Sequence, residues 1–202
     1  MPNFYLIGQR LAIDFGNTVV AADGSGDGLR SWSDLVDFLV AAGQLDGRRA
    51  RQVKALAEGD PEGTARLLRQ AVALRDAIRQ FVAALAGEKP VEAAWVGPIN
   101  SVLRVTEGHD ELVESADGWR LGFVRREQQL DWLLAGIARS AAELVEEGPG
   151  APVRKCGRAD CILYFYDTSR TGRRRWCSMA VCGNRSKVAA FAGRRRRANR
   201  RR

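Results

Sequence analysis

The last quarter of this 202-residue chain contains four cysteines, whose thiols can bind a metal ion or form disulfides. Cys156 and Cys161 form one Cys-x4-Cys pair, and Cys177 and Cys182 form a second pair after fifteen intervening residues. Two thiol pairs brought together by a hairpin can close a tetrahedral site, and Zn²⁺ commonly takes four sulfur ligands in structural sites. The spacing therefore predicts a zinc finger in which all four cysteines bind Zn²⁺.

Two disulfides are the alternative use of four cysteines. The N-terminal sequence, MPNFYLIGQR, lacks the basic start and the apolar core of a secretory signal. No stretch approaches the roughly 18 apolar residues that a membrane span requires. We therefore expect a cytoplasmic protein with no membrane contact, and a reducing cytosol favours metal thiolates over disulfides.

The basic charge of the chain is concentrated around these cysteines. Residues 151–202 contain sixteen Lys and Arg against two acids, a net charge of +14. The totals of 32 basic and 24 acidic residues leave sixteen and twenty-two for residues 1–150, a net charge of −6. Four thiolates on one Zn²⁺ would still leave the C-terminal segment at +12, enough to attract a polyanion by counterion release. We expect DNA as the partner, and RNA is the alternative that would use the same arginines on phosphate.

The candidate nucleic-acid-binding residues all belong to this basic segment. They are Arg170, Arg173, Arg174, Arg175, Asn184, Arg185, Lys187, Arg194, Arg195, Arg196 and Arg197. The four arginines before the third cysteine are candidates for phosphate contact, with a solvated hairpin face as the alternative. Asn184 and Arg185 could read adenine and guanine in the major groove, or could brace the finger. The arginine-rich end, residues 193–202, is expected to be disordered when free.

Hydrophobic periodicity predicts a mainly helical N-terminal domain with a small β-hairpin, an α+β fold. One predicted helix is capped by Ser33 and ended by Gly43, and the longest carries apolar residues at three- and four-residue steps from Leu67 to Leu85. Further helices are predicted over residues 48–57, 99–103 and 127–145. A hairpin is predicted between Glu111 and Val124, with its turn at Asp117-Gly118.

The C-terminal module is predicted to contain a second hairpin and a helix. Residues 161–167 are aromatic and typical of a strand, and residues 173–177 could return as the partner strand. A helix would then begin near Cys182 and continue through Phe191. The segment GPGAP, residues 148–152, is typical of a linker between this module and the helical domain.

The run RRRWCSMAVCGNRSK, with CGRADC and YDTSR before it, resembles the CGNR zinc-finger family, which takes its name from the residues Cys182-Gly183-Asn184-Arg185. In that family of candidate bacterial transcription regulators, the finger follows an alanine-rich ABATE domain. The segment LAIDFGNT, residues 11–18, and the pair Arg75-Asp76 are similar to features of that domain.

The resemblance implies a four-cysteine zinc site and DNA binding. It divides the chain into an ABATE-like regulatory domain over residues 1–147, a linker over 148–152, a CGNR finger over 153–192 and a basic tail over 193–202. It implies no settled enzymatic activity. We therefore expect a zinc-dependent transcription regulator at the nucleoid, whose N-terminal domain senses a small-molecule effector or forms a homodimer.

Four polar residues of the N-terminal domain form a candidate ligand pocket: Asp14, Asn17, Thr18 and Arg75. Buried polar groups need partners, which could be backbone groups, one another or a ligand. A small-molecule enzyme is the less favoured alternative and would depend on this pocket. No Ser-His-Asp or Cys-His arrangement is visible, so we expect no enzymatic activity.

Overall fold

A computed structural model describes residues 3–105, 108–115, 118–125 and 130–199. Its helices are α1 (Leu11–Gly16), α2 (Trp32–Ala41), α3 (Gly47–Gly59), α4 (Pro61–Ala86), α5 (Ala93–Val105), α6 (Ala135–Glu147) and α7 (Asn184–Asn199). Its strands are β1 (Gly108–Ser115), β2 (Gly118–Arg125), β3 (Val153–Lys155) and β4 (Tyr164–Tyr166). Short 3₁₀ turns cover Asn17–Val19, Leu130–Leu134 and Gly148–Gly150, and a π turn covers Met179–Gly183. The mainly helical α+β fold is confirmed.

Helix α4 is the centre of the N-terminal domain. Its 26 residues begin after Asp60, whose side chain accepts a hydrogen bond from the backbone N–H of Gly63 at 2.8 Å. The predicted apolar face from Leu67 to Leu85 is buried, and α1, α2, α3, α5 and α6 all contact this helix. Pro61 occupies the first turn of α4, where a missing N–H costs nothing.

Helix α2 begins at a different cap from the predicted Ser33. Ser31 has extended backbone angles, and its hydroxyl accepts from the N–H of Asp34 at 3.2 Å. The Asp34 carboxylate accepts in turn from the N–H of Ser31 at 2.8 Å, which completes a capping box. Ser33 already lies inside the helix, so the prediction was wrong by two residues.

The first hairpin is confirmed in its strands. β1 and β2 pair antiparallel, with Gly108 opposite Arg125 and Ser115 opposite Gly118. Gly118 therefore belongs to β2, while the other predicted turn residue, Asp117, lies outside the described residues. Residues 127–129 of the last predicted helix also lie outside the described residues. Helix α6 begins at Ala135, after the 3₁₀ turn.

The second hairpin has a different partner strand from the predicted one. β4 pairs antiparallel with β3, with Val153 opposite Tyr166 and Lys155 opposite Tyr164. Residues 173–177 form no strand, because the backbone N–H of Arg174 donates to the Asp167 carboxylate at 3.0 Å rather than to a neighbouring strand. The finger is therefore built from β3, β4 and α7.

Helix α7 extends further than expected. It runs through Asn199, whereas residues from 193 onward were predicted to be disordered. Arginine and alanine are strong helix formers, so the helix that starts after the last cysteine continues through this segment. Residues 200–202 lie outside the described residues. In the part of the chain that is described, no helix is both long enough and apolar enough to cross a bilayer.

Candidate metal centre

The four cysteine sulfur atoms lie within 4.8 Å of one another, and all four residues are buried. The Sγ atoms of Cys161 and Cys177 are 3.8 Å apart, and those of Cys177 and Cys182 are 3.5 Å apart. A tetrahedral site with Zn–S bonds of about 2.3 Å places its sulfur atoms about 3.8 Å apart, whereas a disulfide needs about 2.05 Å. The cysteines are free thiols in an arrangement that fits Zn²⁺.

The first cysteine pair is held by the end of the β3–β4 sheet. Cys156 follows β3, and its N–H donates to the carbonyl of Leu163 at 2.9 Å. Between the two cysteines, the N–H of Gly157 donates to the carbonyl of Arg175 at 2.8 Å. A Cβ on Gly157 would lie 3.0 Å from that carbonyl oxygen and 3.3 Å from the Trp176 ring. This contact ties the first cysteine loop to the second.

The second pair is held by the π turn before α7. The hydroxyl of Ser178 accepts from the N–H of Val181 at 3.3 Å and starts the turn that contains Cys182. A Cβ on Gly183 would lie 3.1 Å from Cδ1 of Trp176, so the indole packs against the glycine. The Asn184 side-chain amide donates to the carbonyl of Ala180 at 3.1 Å. Gly183 and Asn184 therefore brace the turn that positions Cys182.

The environment of the thiols differs from one to the next. Burial raises the pKa of Cys161 to about 11 and also raises the pKa of Cys177. Burial acts in the same direction on Cys156, but backbone N–H groups of Cys177 and Arg158 outweigh it and lower the pKa of Cys156 below its ordinary value. Because Cys161 and Cys177 would keep their protons at neutral pH without a metal, zinc binding must release protons.

Asp167 organises the loop between the two cysteine pairs. Its carboxylate is fully buried and accepts from the N–H and hydroxyl of Ser169 at 3.0 and 2.6 Å. Arg154 Nε lies 3.1 Å from the other oxygen, which also accepts from the N–H of Arg174. Burial favours the neutral acid, yet these hydrogen bonds hold the pKa of Asp167 below its ordinary value. Sequence reasoning missed this residue, although an Asp followed by Thr and Ser is a signal for such a turn.

Arg174 is a second structural residue of this loop. Its guanidinium stacks 4.3 Å from the centre of the Phe165 ring, and its Nε donates to the carbonyl of Trp176 at 3.0 Å. A terminal nitrogen donates to the carbonyl of Ile7 at 3.3 Å and to that of Cys177. These bonds occupy Nε and one terminal nitrogen of Arg174 with carbonyl groups of the finger and of Ile7 in the N-terminal domain, and phosphate contact by Arg174 stays a prediction.

The finger packs directly on the N-terminal domain. Tyr5, Ile7 and Val20 contact the apolar cluster that contains the cysteines, and Val153 at the start of the finger belongs to the core of the helical domain. The N–H of Tyr166 donates to the carbonyl of Gly8 at 2.8 Å. The predicted linker is a 3₁₀ turn followed by the buried Ala151, so it leaves no free segment between the two units.

Three of the candidate pocket residues are used in internal hydrogen bonds. Asp14 accepts from the N–H of Gly8 at 2.6 Å, and the hydroxyl of Thr18 donates to the carbonyl of Phe15 at 2.7 Å. Asn17 bonds twice to the backbone of Tyr164, which belongs to the finger. The gap beside Asn17 is too small to admit a water molecule. These hydrogen bonds give the three residues a structural role, and the ligand pocket stays a prediction.

The fourth candidate, Arg75, is paired elsewhere. Its guanidinium forms two hydrogen bonds with the Asp27 carboxylate, at 2.6 and 2.8 Å, and its side chain is 5% exposed. This bidentate pair fastens the glycine-rich loop before α2 to helix α4. Sequence analysis did not connect these residues, which lie 48 positions apart.

Five of the candidate cationic residues of the finger are exposed: Arg170, Arg173, Arg175, Arg185 and Lys187. Helix α7 is itself exposed from Arg185 to Ala192, apart from the intermediate Ser186. Residues 194–197, the run of four arginines, lie further along the same helix. The structure thus presents a basic helix that projects from the metal centre.

A helical domain with an integral four-cysteine site defines a zinc-binding protein of the zinc-finger class. The profile of the ABATE family, described as "putative stress-induced transcription regulator", matches residues 9–148, and that of the CGNR zinc finger matches residues 153–197. Because the first match covers more than half of the chain, the protein belongs to the ABATE family, and its C-terminal unit is a CGNR zinc finger. Neither family description names an enzyme. No curated protein matches the chain.

Proposed function

We propose that the protein is a zinc-dependent transcription regulator that binds duplex DNA through its finger. The observation that carries this proposal is the basic helix α7, which begins beside the metal-binding cysteines and is exposed over residues 187–192. Over residues 187–192, where its side chains are described, α7 buries no apolar face against the rest of the chain, and a polyanionic partner would account for this exposed basic helix.

The dimensions and charge of α7 suit the major groove. Sixteen residues give a helix about 24 Å long, and the major groove of B-DNA, about 12 Å wide, admits an α-helix. Arg185 and Lys187 lie in its first turn, and consecutive positions from 194 to 197 are each about 100° apart around the axis. In a groove with phosphates on both sides, positive charge on several sides of a helix is favourable.

The loop before Cys177 supplies a second set of contacts. Arg170, Arg173 and Arg175 are exposed, while Asp167 and Arg174 hold the backbone between them. We propose that the exposed arginines bind phosphate and thereby orient α7. In this proposal Zn²⁺ acts only as a structural element, because it holds the loop and the start of α7 together.

Residues 1–150 have a net charge of −6, whereas the C-terminal segment is positively charged, so we propose no DNA contact for the N-terminal domain. We propose that it carries the regulatory signal, through a small-molecule effector or through a homodimer, and that the protein acts at the nucleoid in the cytoplasm. Because the finger is packed on this domain through Asn17, Ile7 and Val20, a change in its structure would reach the metal centre directly.

Fluorescence anisotropy with a labelled DNA duplex tests the proposal on the zinc-loaded full chain. The double substitution R185A/K187A should weaken binding about tenfold or more and reduce the salt slope by about 2, because two phosphate contacts are lost. The matched control is R48A/R51A, which removes two exposed cations from α3. Equal losses in both variants would mean that binding follows total charge and not the finger.

The class of nucleic acid is tested separately. At matched salt, structured RNA should compete for the protein less well than duplex DNA, because the deep major groove of A-form RNA does not admit a helix. Tighter binding of RNA would overturn the proposal in favour of an RNA-binding protein. Genome-wide mapping of bound sites would then identify the DNA targets.

A further inference from the structure

A cleft of about 530 Å³ opens where the C-terminal end of α4 meets the finger. Its apolar lining includes Leu85 and Ala86 of α4 together with Ala151 and Val153. Small-molecule sites are commonly about 300–1,000 Å³ in volume, mostly apolar, and located between domains. The cleft has this volume and this location, but its lining is more polar than apolar, and it contains none of the residues of the candidate pocket predicted from sequence.

The polar lining of the cleft is strongly cationic. Four basic side chains, Arg154, Lys155, Arg174 and Arg175, face a single carboxylate from Glu88. Arg174 donates to carbonyl groups of the finger and of Ile7 in the N-terminal domain, and Arg154 is paired with Asp167 at 3.1 Å. Within the described part of the chain, Lys155 and Arg175 have no carboxylate partner, and both are exposed.

We propose that this cleft binds a small organic anion, whose charged group contacts Lys155 and Arg175 and whose apolar part packs on the half-buried Ala86 and Pro152. The excess of positive charge selects an anion, and the accessible apolar side chains favour a ligand with a hydrocarbon or aromatic portion over an inorganic ion. The volume accommodates a molecule of metabolite size.

Occupancy of this cleft would act on both units of the protein. Leu85 and Glu88 belong to the N-terminal domain, whereas Lys155 ends β3 and Arg175 lies in the loop before Cys177. The carbonyl of Arg175 accepts the N–H of Gly157, next to the first metal-binding cysteine. A bound anion therefore stabilises the contact between α4 and the finger. Arg175 is also one of the proposed DNA contacts, whereas Lys155 is not.

Titration of the zinc-loaded full chain with anilinonaphthalene sulfonate, a fluorescent aromatic anion, tests the proposal. We expect saturable binding with one site per chain.

K155A/R175A should raise the dissociation constant about tenfold or more, since both charge contacts are lost. A86W should abolish binding without removing a charge, because the indole fills the cleft. R48A/R51A is the charge-matched control and should bind as the unsubstituted protein does. Near-UV circular dichroism and zinc content check that each variant is folded.

Two results would overturn the proposal. The first is a dissociation constant that K155A/R175A and A86W leave unchanged, with binding lost instead in M179S/V188S, which removes exposed apolar side chains of the finger. The second is displacement of the probe by duplex DNA together with a matching loss of DNA affinity in the single variant K155A. Because Lys155 is not one of the proposed DNA contacts, this result would assign the cleft to the DNA-binding surface. The DNA proposal is tested by R185A/K187A, and the anion proposal is tested by the probe titration. A DNA affinity that R185A/K187A leaves unchanged would contradict the first proposal and would not change the result of the titration.

Discussion

Asn17 and Tyr164 bind each other through two hydrogen bonds across a sequence separation of 147 residues. The Asn17 side-chain amide donates to the carbonyl of Tyr164 at 2.9 Å, and the N–H of Tyr164 donates to the Asn17 side-chain oxygen at 3.0 Å. Asn17 is 1% exposed, so water cannot replace either bond. The Asn17 side chain therefore forms hydrogen bonds with the edge of β4 that is not paired with β3, and these bonds join the ABATE domain to the finger.

The first prediction concerns this contact. Asn17→Ala should lower the free energy of unfolding by about 2–3 kcal/mol, because it removes two hydrogen bonds and leaves the partner groups of Tyr164 unpaired. Urea denaturation of the zinc-loaded chain measures the change. The control is Gln52→Ala, an exposed amide on α3, which should change stability by about 0.5 kcal/mol or less. A loss below about 1 kcal/mol for Asn17→Ala would show that the contact contributes little.

The second prediction concerns metal removal. Purified protein should contain one Zn²⁺ per chain, and chelation should expose the amides of Tyr164 and Tyr166, whose N–H groups donate to Asn17 and Gly8 of the N-terminal domain. Metal binding of this kind is coupled to folding, so its loss should undock the finger. Hydrogen exchange measures both amides, with Leu74 and Ile78 in the buried face of α4 as internal controls. Unchanged protection of Tyr164 and Tyr166 would contradict the coupling.

The third prediction concerns Gly183. A Cβ at this position meets Trp176 at 3.1 Å and the Met179 sulfur at an even shorter distance, and only the exposed Met179 can move away easily. Gly183→Ala should therefore destabilise the finger by about 1–2 kcal/mol and weaken zinc affinity. Gly59→Ala is the matched control, because a Cβ there meets nothing within 4 Å. It is the last residue of α3, and the substitution should change stability by about 1 kcal/mol or less.

The fourth prediction concerns the pH dependence of stability. Burial raises the pKa of Asp14 to about 6, even though the N–H of Gly8 donates to its carboxylate. The folded state therefore holds this proton more tightly than the unfolded chain, whose Asp has a pKa of about 3.9. The resulting stability is present below pH ~4 and is lost as the pH rises through ~6, at a cost of up to about 3 kcal/mol at neutral pH.

Asp14→Asn tests that sign, since the amide oxygen can still accept from Gly8. The variant should gain stability relative to the unsubstituted protein as the pH rises from about 4 to about 7. Urea denaturation of both proteins at each pH gives the difference, in which any release of zinc at low pH cancels. A constant difference across this range would show that Asp14 titrates normally.

Most helices and the metal centre could be predicted from local sequence. The period of apolar residues from Leu67 to Leu85 placed the buried face of α4, and the two Cys-x4-Cys pairs predicted the cluster of thiols. Caps were less certain, because Ser31 and Ser33 are chemically equivalent and only Ser31 takes the extended backbone that a cap requires. Local signals specify elements well and their ends less well.

The sequence by itself determined that the chain has a helical domain, a four-sulfur site and a concentration of positive charge near its end. Only the tertiary structure decided that β3 is the partner of β4 and that Asn17 hydrogen-bonds the finger. It also decided that Arg174 donates to carbonyl groups of the finger and of Ile7, while Arg173 and Arg175 are exposed. The physical reason is that periodicity and ligand spacing act within a few residues along the chain. The hydrogen-bond partner of a buried polar group depends on which distant segments pack together, and a local sequence pattern does not contain that information.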